Sequence, residues 1–192
     1  MTEADPVRAI SRLFATVGTS AYLGEPVSQA AHMLQAAALA ESARADSALI
    51  AAALLHDVGH FTRLVSGHDL MRGTDNQHGD AGADWLAQWF GPEVTEPVRL
   101  HVAAKRYLCA VEPGYFDTLS AASVYTLNVQ GGPMSPAEAA IFEADPAAGG
   151  ALRLRRWDDA AKDPAARVPP FGYFQSMLRR LVRYSGAAGV TR

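Results

Sequence analysis

The sequence predicts an all-α protein of about eight to nine helices, and three observations predict it. Apolar residues recur at helical spacing between glycine and proline stops. No alternating strand pattern of useful length occurs, and neither Asn-Gly nor Asp-Gly marks a hairpin. Single polar residues interrupt otherwise apolar helical runs on several segments, the pattern of a bundle with a polar centre.

Each element follows in order. Asp5 can cap a first helix with Pro6 in its first turn, and Gly18 would stop it. Pro26 to Ala43 is rich in alanine and leucine and has no breaker, so one helix is expected across it. Asp46 caps a third helix, Ser47 to Asp57, with Gly59 as its end. Gly79 to Phe90 gives a fourth, closed by Gly91-Pro92, and Glu93 to Val111 a fifth, with Pro97 early in it. Asp117 to Val129 gives a sixth, ended by Gly131-Gly132-Pro133. Ser135-Pro136-Ala137-Glu138 is a capping box that opens a short seventh. Pro146 to Lys162 and Phe171 to Tyr184 supply the last two. The longest irregular stretch is Val65 to Gln77, and a loop of that length in a compact domain is often functional. The tail, 185–192, is expected to fray.

Bulk numbers narrow the function classes. A chain of 192 residues with 49% apolar content suits one domain over 1–192, of which 1–18 form an N-terminal helix. A net charge of −3 argues against nucleic-acid and polybasic membrane partners, which need concentrated lysine and arginine. The longest clean apolar run, Ala48 to Leu55, is far short of the roughly 20 residues that span a bilayer. The single cysteine, Cys109, read as a core residue, cannot form an internal disulfide, and Met1 to Pro6 shows no signal-peptide pattern. These features point to a cytoplasmic protein.

The polar residues fall in a telling order: His32, His56-Asp57, His78, His101, Asp158. Four imidazoles and two carboxylates are enough for two metal ions, and this mixed set suits iron, manganese or zinc. Six protein ligands shared by two ions leave open positions, which argues for catalysis over a structural site. Neighbours on a helix point ~100° apart, so His56 and Asp57 cannot easily chelate one ion. Asp57 can instead bridge two ions through its two oxygens. Asp158 is preferred to Asp159 because it stands four residues before Lys162 and would share a helix face with it. Tyr22, Glu25, Gln29 and His32 would lie within about an 80° arc if one helix carried them all. Lys105 stands four residues after His101, and Arg155 three before Asp158, so each would lie one turn from a ligand. Ser123 and Thr126, three apart, add hydroxyls on one face. The run Arg153-Leu154-Arg155-Arg156 also fits a solvated face. His68, within the irregular stretch, is read as solvated.

The order His…His-Asp…Asp resembles the HD-domain metalloprotein superfamily, all-α helical bundles that are mostly phosphohydrolases. The extra His78 and His101 resemble the subgroup that holds two metals. More specifically, the chain from Tyr22 to Lys162 looks like the mixed-valence diiron HD oxygenases that cleave the carbon–phosphorus bond of organophosphonates. The resemblance implies that His32, His56, Asp57, His78, His101 and Asp158 ligate two iron ions, Fe(II)/Fe(III), with Asp57 as the bridge. It implies that Tyr22 caps one iron at rest, that Glu25 engages a substrate ammonium, and that His60, Lys105, Ser123, Thr126 and Arg155 grip the phosphonate.

The activity so implied is O2-dependent cleavage of a 1-hydroxy-2-(amino or trimethylammonio)ethylphosphonate to phosphate and glycine or glycine betaine. The expected partners are that small molecule and O2, with an upstream 2-oxoglutarate-dependent hydroxylase supplying the 1-hydroxyl. Two other classes compete: a metal-dependent HD phosphohydrolase acting on a small phosphate ester, and a catalytically silent HD domain. The full ligand set argues against the silent domain, which has no need of open metal positions.

Overall fold

A computed structural model describes residues 5–22, 24–61 and 77–183. His68, most of the irregular stretch and the 185–192 tail lie outside the described residues. Among the described residues there are nine α-helices and no strand, which is the all-α bundle that the sequence predicts. The helices are α1 (Pro6–Ala15), α2 (Gln29–Ser42), α3 (Ser47–Leu55), α4 (His78–Leu86), α5 (Pro92–Val111), α6 (Ala121–Val129), α7 (Pro136–Glu143), α8 (Ala148–Ala160) and α9 (Phe171–Leu181).

The centre of the bundle is α3. It is apolar on every side, and a helix of that kind has to be buried. Leu49 through Leu55 are all buried. Around it pack α2, α5, α8 and α9. An aromatic cluster closes one side, with Phe14 edge-on to Phe61 at 5.7 Å and tilted on Phe171 at 4.6 Å. The amphipathic α1 and α9 cover this core, burying Val7, Ile10, Phe14 and Phe171, Phe174, Leu178.

Capping residues fix where helices begin. Asp5 accepts from the backbone of Val7 and Arg8, Asp46 from Leu49, and Ser135 with Glu138 forms the full capping box. Four boundaries differ from expectation, and each difference shapes the site. First, α1 ends at Ala15, and a short 3-10 turn, Val17–Thr19, carries the chain past Gly18. A Cβ there would stand 2.9 Å from the Cβ of Ala30, so Gly18 lets the turn approach α2 closely. Second, α2 starts at Gln29 and not at Pro26, because the Ser28 side chain caps Ala31. Before it the chain reverses: Gly24 takes φ +84°, Tyr22 N–H donates to Val27, and Ala21 bridges to Ser28. Tyr22 and Glu25 therefore sit on a turn, and the single-helix arc with His32 does not exist. Third, α3 stops at Leu55, leaving His56 and Asp57 in a tight turn before the 3-10 segment Val58–His60. Fourth, α8 ends at Ala160, so Asp158 and Lys162 do not share a helix face.

Two further helices start elsewhere than expected. The sixth helix starts at Ala121, capped by Ser120, after a 3-10 turn at Phe116–Thr118. The fourth runs from His78, after Gln77 in the left-handed region at φ +47°. No helix among the described residues is long and apolar enough to cross a membrane. Cys109 is half-buried at the edge of the core.

Candidate active site

Six buried groups converge from α2, the α3 terminus, α4, α5 and α8. His32 and His56 are fully buried, and Asp57, His78, His101 and Asp158 are at most 5% exposed. The turn that ends α3 explains how adjacent His56 and Asp57 serve one site. Released from helical geometry, Asp57 points its two oxygens at two different imidazole pairs. Oδ2 lies 3.8 Å from His32 Nε2 and 3.5 Å from His56 Nε2. Oδ1 lies 3.4 Å from His78 Nε2 and 3.6 Å from His101 Nε2. Asp158 Oδ1 completes the first group, 3.3 Å from His32 Nε2 and 3.9 Å from His56 Nε2.

Gly59 makes this convergence possible. A Cβ on it would fall 2.1 Å from the backbone oxygen of His78, so no other residue lets the N-terminus of α4 approach so near. On the α5 side, a Cβ on Gly79 would stand 2.9 Å from the Arg99 carbonyl.

The imidazoles are oriented by backbone carbonyls. His32 Nδ1 meets Ala161 O at 2.9 Å, His56 Nδ1 meets Ala53 O at 2.9 Å, and His101 Nδ1 meets Val98 O at 2.7 Å. A carbonyl can only accept, so each Nδ1 carries the proton and each Nε2 turns a lone pair inward. Yet His32 Nε2 and His56 Nε2 stand 3.0 Å apart, as do His78 Nε2 and His101 Nε2. In the first pair both inward nitrogens carry lone pairs, which repel at that distance unless a cation lies between them; in the second, the His101 lone pair faces His78. Asp57 Oδ2 is buried and has no hydrogen-bond partner among the described residues, which is the same unmet demand in a carboxylate.

The electrostatics agree. Burial opposes charge on Asp57, but the surrounding His56, His60, His78 and His101 hold its carboxyl far below the usual range. Asp158 is likewise held low despite burial, by Arg155 and His32. Burial pulls His101 down to about 4 and His78 well below its ordinary value, so both are neutral and fit to ligate. His32 goes the other way: burial lowers it, but the hydrogen bond and charge of Asp158 raise it overall. The group between Asp57 and Asp158 thus favours a cation, whether proton or metal. The donor set, two three-residue groups sharing Asp57, fits a pair of metal ions.

Next to this centre is a pocket lined by further polar groups. Tyr22 stacks on His32 with ring centroids 4.0 Å apart. Burial and the Asp57 and Asp158 charges push its phenol well above the ordinary value. His60 stacks on His78 at 4.2 Å, and its Nδ1 is buried without a partner. Lys105, 3% exposed, donates from Nζ to Thr126 Oγ1 at 2.8 Å. Burial, with the nearby Arg155 charge, lowers its ammonium to about 7. Ser123 and Thr126 are side by side on the inner face of α6.

All thirteen residues singled out from the sequence therefore lie at this centre or its pocket, although two have partners that the sequence did not suggest. Glu25, expected to offer an open negative charge, accepts from Ser120 Oγ at 2.5 Å and pairs with Lys162 at 2.9 Å. Arg155, expected to offer donors to an anion, is held by Asp158 at 2.8 Å and by Asp159 and Tyr115. Sequence reading missed four neighbours: Lys162, Gln130, Asp159 and Tyr115. Lys162 and Gln130 line the pocket. Asp159 and Tyr115 bond to one another and to Arg155, so they form a lock behind Asp158. Gln130 left a signal, continuing the Ser123, Thr126 spacing by four, and Lys162 left one in its spacing of four from Asp158, though neither was given a role.

Helices, buried His-Asp centre and pocket together define a metal-binding HD domain, and the HD domain profile matches residues 30–145. The chain is 43% identical over 182 residues to [1-hydroxy-2-(trimethylamino)ethyl]phosphonate dioxygenase (glycine-betaine-forming) of Leisingera caerulea, covering 94% of this chain and 93% of that protein. It is 43% identical over 187 residues to hydroxymethylphosphonate dioxygenase of Gimesia maris, covering 96% and 92%. An uncharacterized protein of Acanthamoeba polyphaga mimivirus is 34% identical over 175 residues, covering 90% and 80%. The chain belongs to the HD-domain family, in the branch that contains these phosphonate oxygenases.

Proposed function

We propose that this protein is an iron-dependent dioxygenase that cleaves the C–P bond of a 1-hydroxy-2-(amino or trimethylammonio)ethylphosphonate. With O2 it yields phosphate and glycine or glycine betaine. The observation that carries the reading is the two pairs of Nε2 atoms, each 3.0 Å apart, on either side of Asp57, beside a pocket of lysines and hydroxyls. The dioxygenase names of two near-full-length relatives support it.

His32, His56 and Asp158 would hold one iron and His78 and His101 the other, with Asp57 available to both, in an Fe(II)/Fe(III) pair. Bound there, the two irons supply redox chemistry with O2 that no side chain offers. The chain's own residues do the rest. Lys105, Ser123, Thr126 and His60 orient the phosphonate head, and Arg155 contributes through its hold on Asp158. Glu25 meets the ammonium tail. Tyr22, stacked on His32, occupies the space that substrate needs and gives way to it. The whole chain works as one HD-type domain in the cytoplasm. The reaction that feeds it is a 2-oxoglutarate-dependent hydroxylation at C1 of the parent phosphonate.

The test is to incubate iron-loaded protein with each hydroxyphosphonate, with and without air, and to assay free phosphate. Release only in air is expected. Release under strict anaerobiosis would overturn the oxygenase reading.

A further inference from the structure

This inference rests on the phosphonate reading and concerns a residue that it leaves without a role. Among the described residues, three non-histidine cations line the pocket: Lys105, Arg155 and Lys162. Arg155 is committed to Asp158, Asp159 and Tyr115. Lys105 has no carboxylate in ion-pair reach among the described residues, and its Nζ holds the Thr126 hydroxyl. Lys162 Nζ holds the Ser123 hydroxyl at 2.9 Å, in the same manner and three residues away on the same helix. It also meets Glu25 Oε1 at 2.9 Å and Ser120 Oγ at 3.2 Å. The two lysines are thus matched in placement, but one lacks a counter-charge and the other is tied to Glu25. A phosphonate dianion has three oxygens and needs more than the one ammonium left without a carboxylate among the described residues.

We propose that Lys162 is an exchangeable counter-ion: Glu25 holds it in the substrate-free pocket, and a zwitterionic substrate takes both partners over. The phosphonate pairs with Lys162 while the cationic tail pairs with Glu25. Removing one member of a buried pair leaves an uncompensated charge, which is strongly unfavourable. Here the side chains of Lys162 and Glu25 are only 14% and 9% exposed. A substrate with an anionic head and a cationic tail replaces both partners at once and strands neither. Hydroxymethylphosphonate has no such tail, so it would draw Lys162 away and leave Glu25 alone. The pair therefore selects substrates that carry an ammonium.

The backbone allows the exchange. The free space in this half-open pocket is about 40 Å³, room for a few waters, so side chains must shift to admit a substrate. Glu25 sits on the turn made by Gly24, and Lys162 lies beyond the end of α8, so neither is locked in a helix. Tyr22 shares the Glu25 turn, Glu25 N–H donating to Tyr22 O at 2.6 Å, so release of Glu25 also loosens Tyr22.

The experiment compares kcat/KM for 1-hydroxy-2-(trimethylammonio)ethylphosphonate and hydroxymethylphosphonate in wild type, Glu25→Gln and Lys162→Met. Wild type should favour the zwitterion about tenfold or more, and Glu25→Gln should reverse the sign of the effect between substrates. It should lower the zwitterion about tenfold and raise the hydroxymethyl compound a few-fold, because glutamine frees Lys162 without stranding a charge. Lys162→Met should weaken both substrates through KM. A readout free of turnover is inorganic phosphate binding to the metal-loaded protein by calorimetry. Glu25→Gln should bind it about tenfold more tightly than wild type and Lys162→Met more weakly. If Glu25→Gln shifts both substrates the same way, or binds phosphate no more tightly, the exchange is wrong. If neither phosphonate is turned over but phosphate binding follows the expected order, the exchange stands and the phosphonate reading falls.

Discussion

The two ends of the pocket are built on opposite principles. Around Asp57 the groups are held by helix termini and backbone carbonyls, and they leave a demand that only a cation can meet. Around Glu25 the groups sit on a turn and beyond a helix end, and their charges quench one another. The first end is preorganised for what it binds; the second must exchange internal bonds for external ones. Rigid placement suits ions whose geometry is demanding, while an ion pair that can open suits a ligand that comes and goes.

The largest expected effect is at the shared carboxylate. Asp57→Ala removes the oxygens that face both imidazole pairs, so the metal content should fall from two equivalents to well under one. Phosphate release should fall on the order of 10³-fold or more. Metal analysis after iron-replete expression checks it. Retention of one full equivalent would mean that Asp57 belongs to one ion only, which would break the symmetry argued above.

Gly59→Ala should split the centre. Its Cβ would meet the His78 carbonyl at 2.1 Å, so α4 must shift away. The His78 and His101 side should then lose its ion while the side held by His32, His56 and Asp158 keeps one. Near one equivalent is expected, with a loss of thermal stability of about 2 kcal/mol or more, since this is backbone meeting backbone. A variant that keeps two equivalents would show that the close approach does not position His78.

These two positions also show what was legible in advance. The order of His32, His56-Asp57, His78, His101 and Asp158 could be read because all but His78 fall on segments with a clear helical pattern, and His78 directly precedes one. The capping signals at Asp5, Asp46 and Ser135 gave correct starts. The Glu25 end was harder. Gly24 and Ser28 override an apolar run that otherwise reads as helix from Pro26, and the partners of Glu25 are Ser120 and Lys162, on distant segments. Pairings across 95 residues leave no local trace. The Arg155–Asp159–Tyr115 lock was hidden for the same reason, since Tyr115 and Arg155 are 40 apart.

That lock gives a smaller effect, at the border of the two ends. Asp159→Asn removes the charge that holds the Arg155 guanidinium and lets it swing from Asp158. One ion should bind about tenfold more weakly, in the range seen for groups that orient metal ligands. Competition with a chelator measures it. Tyr115→Phe should do the same to a lesser degree. Unchanged metal affinity in both would confine their role to packing.

The smallest effect is a pH dependence that belongs to the Lys105 side alone. Burial, with the Arg155 charge, lowers its ammonium to about 7, so it is charged below that pH and progressively neutral above it. Between pH 6 and 8.5 the charged fraction would fall from roughly nine-tenths to a few per cent. Anion binding should weaken over the same interval, although a bound anion raises the lysine's affinity for its proton and moves the change upward. Phosphate itself titrates here, so the comparison must be with Lys105→Arg, whose charge persists at every pH used. Relative to that variant, wild type should lose about three- to tenfold in phosphate affinity from pH 6 to 8.5. Parallel profiles would mean that Lys105 stays charged throughout, and the two lysines that donate to α6 hydroxyls would then differ only in whether Glu25 reaches them.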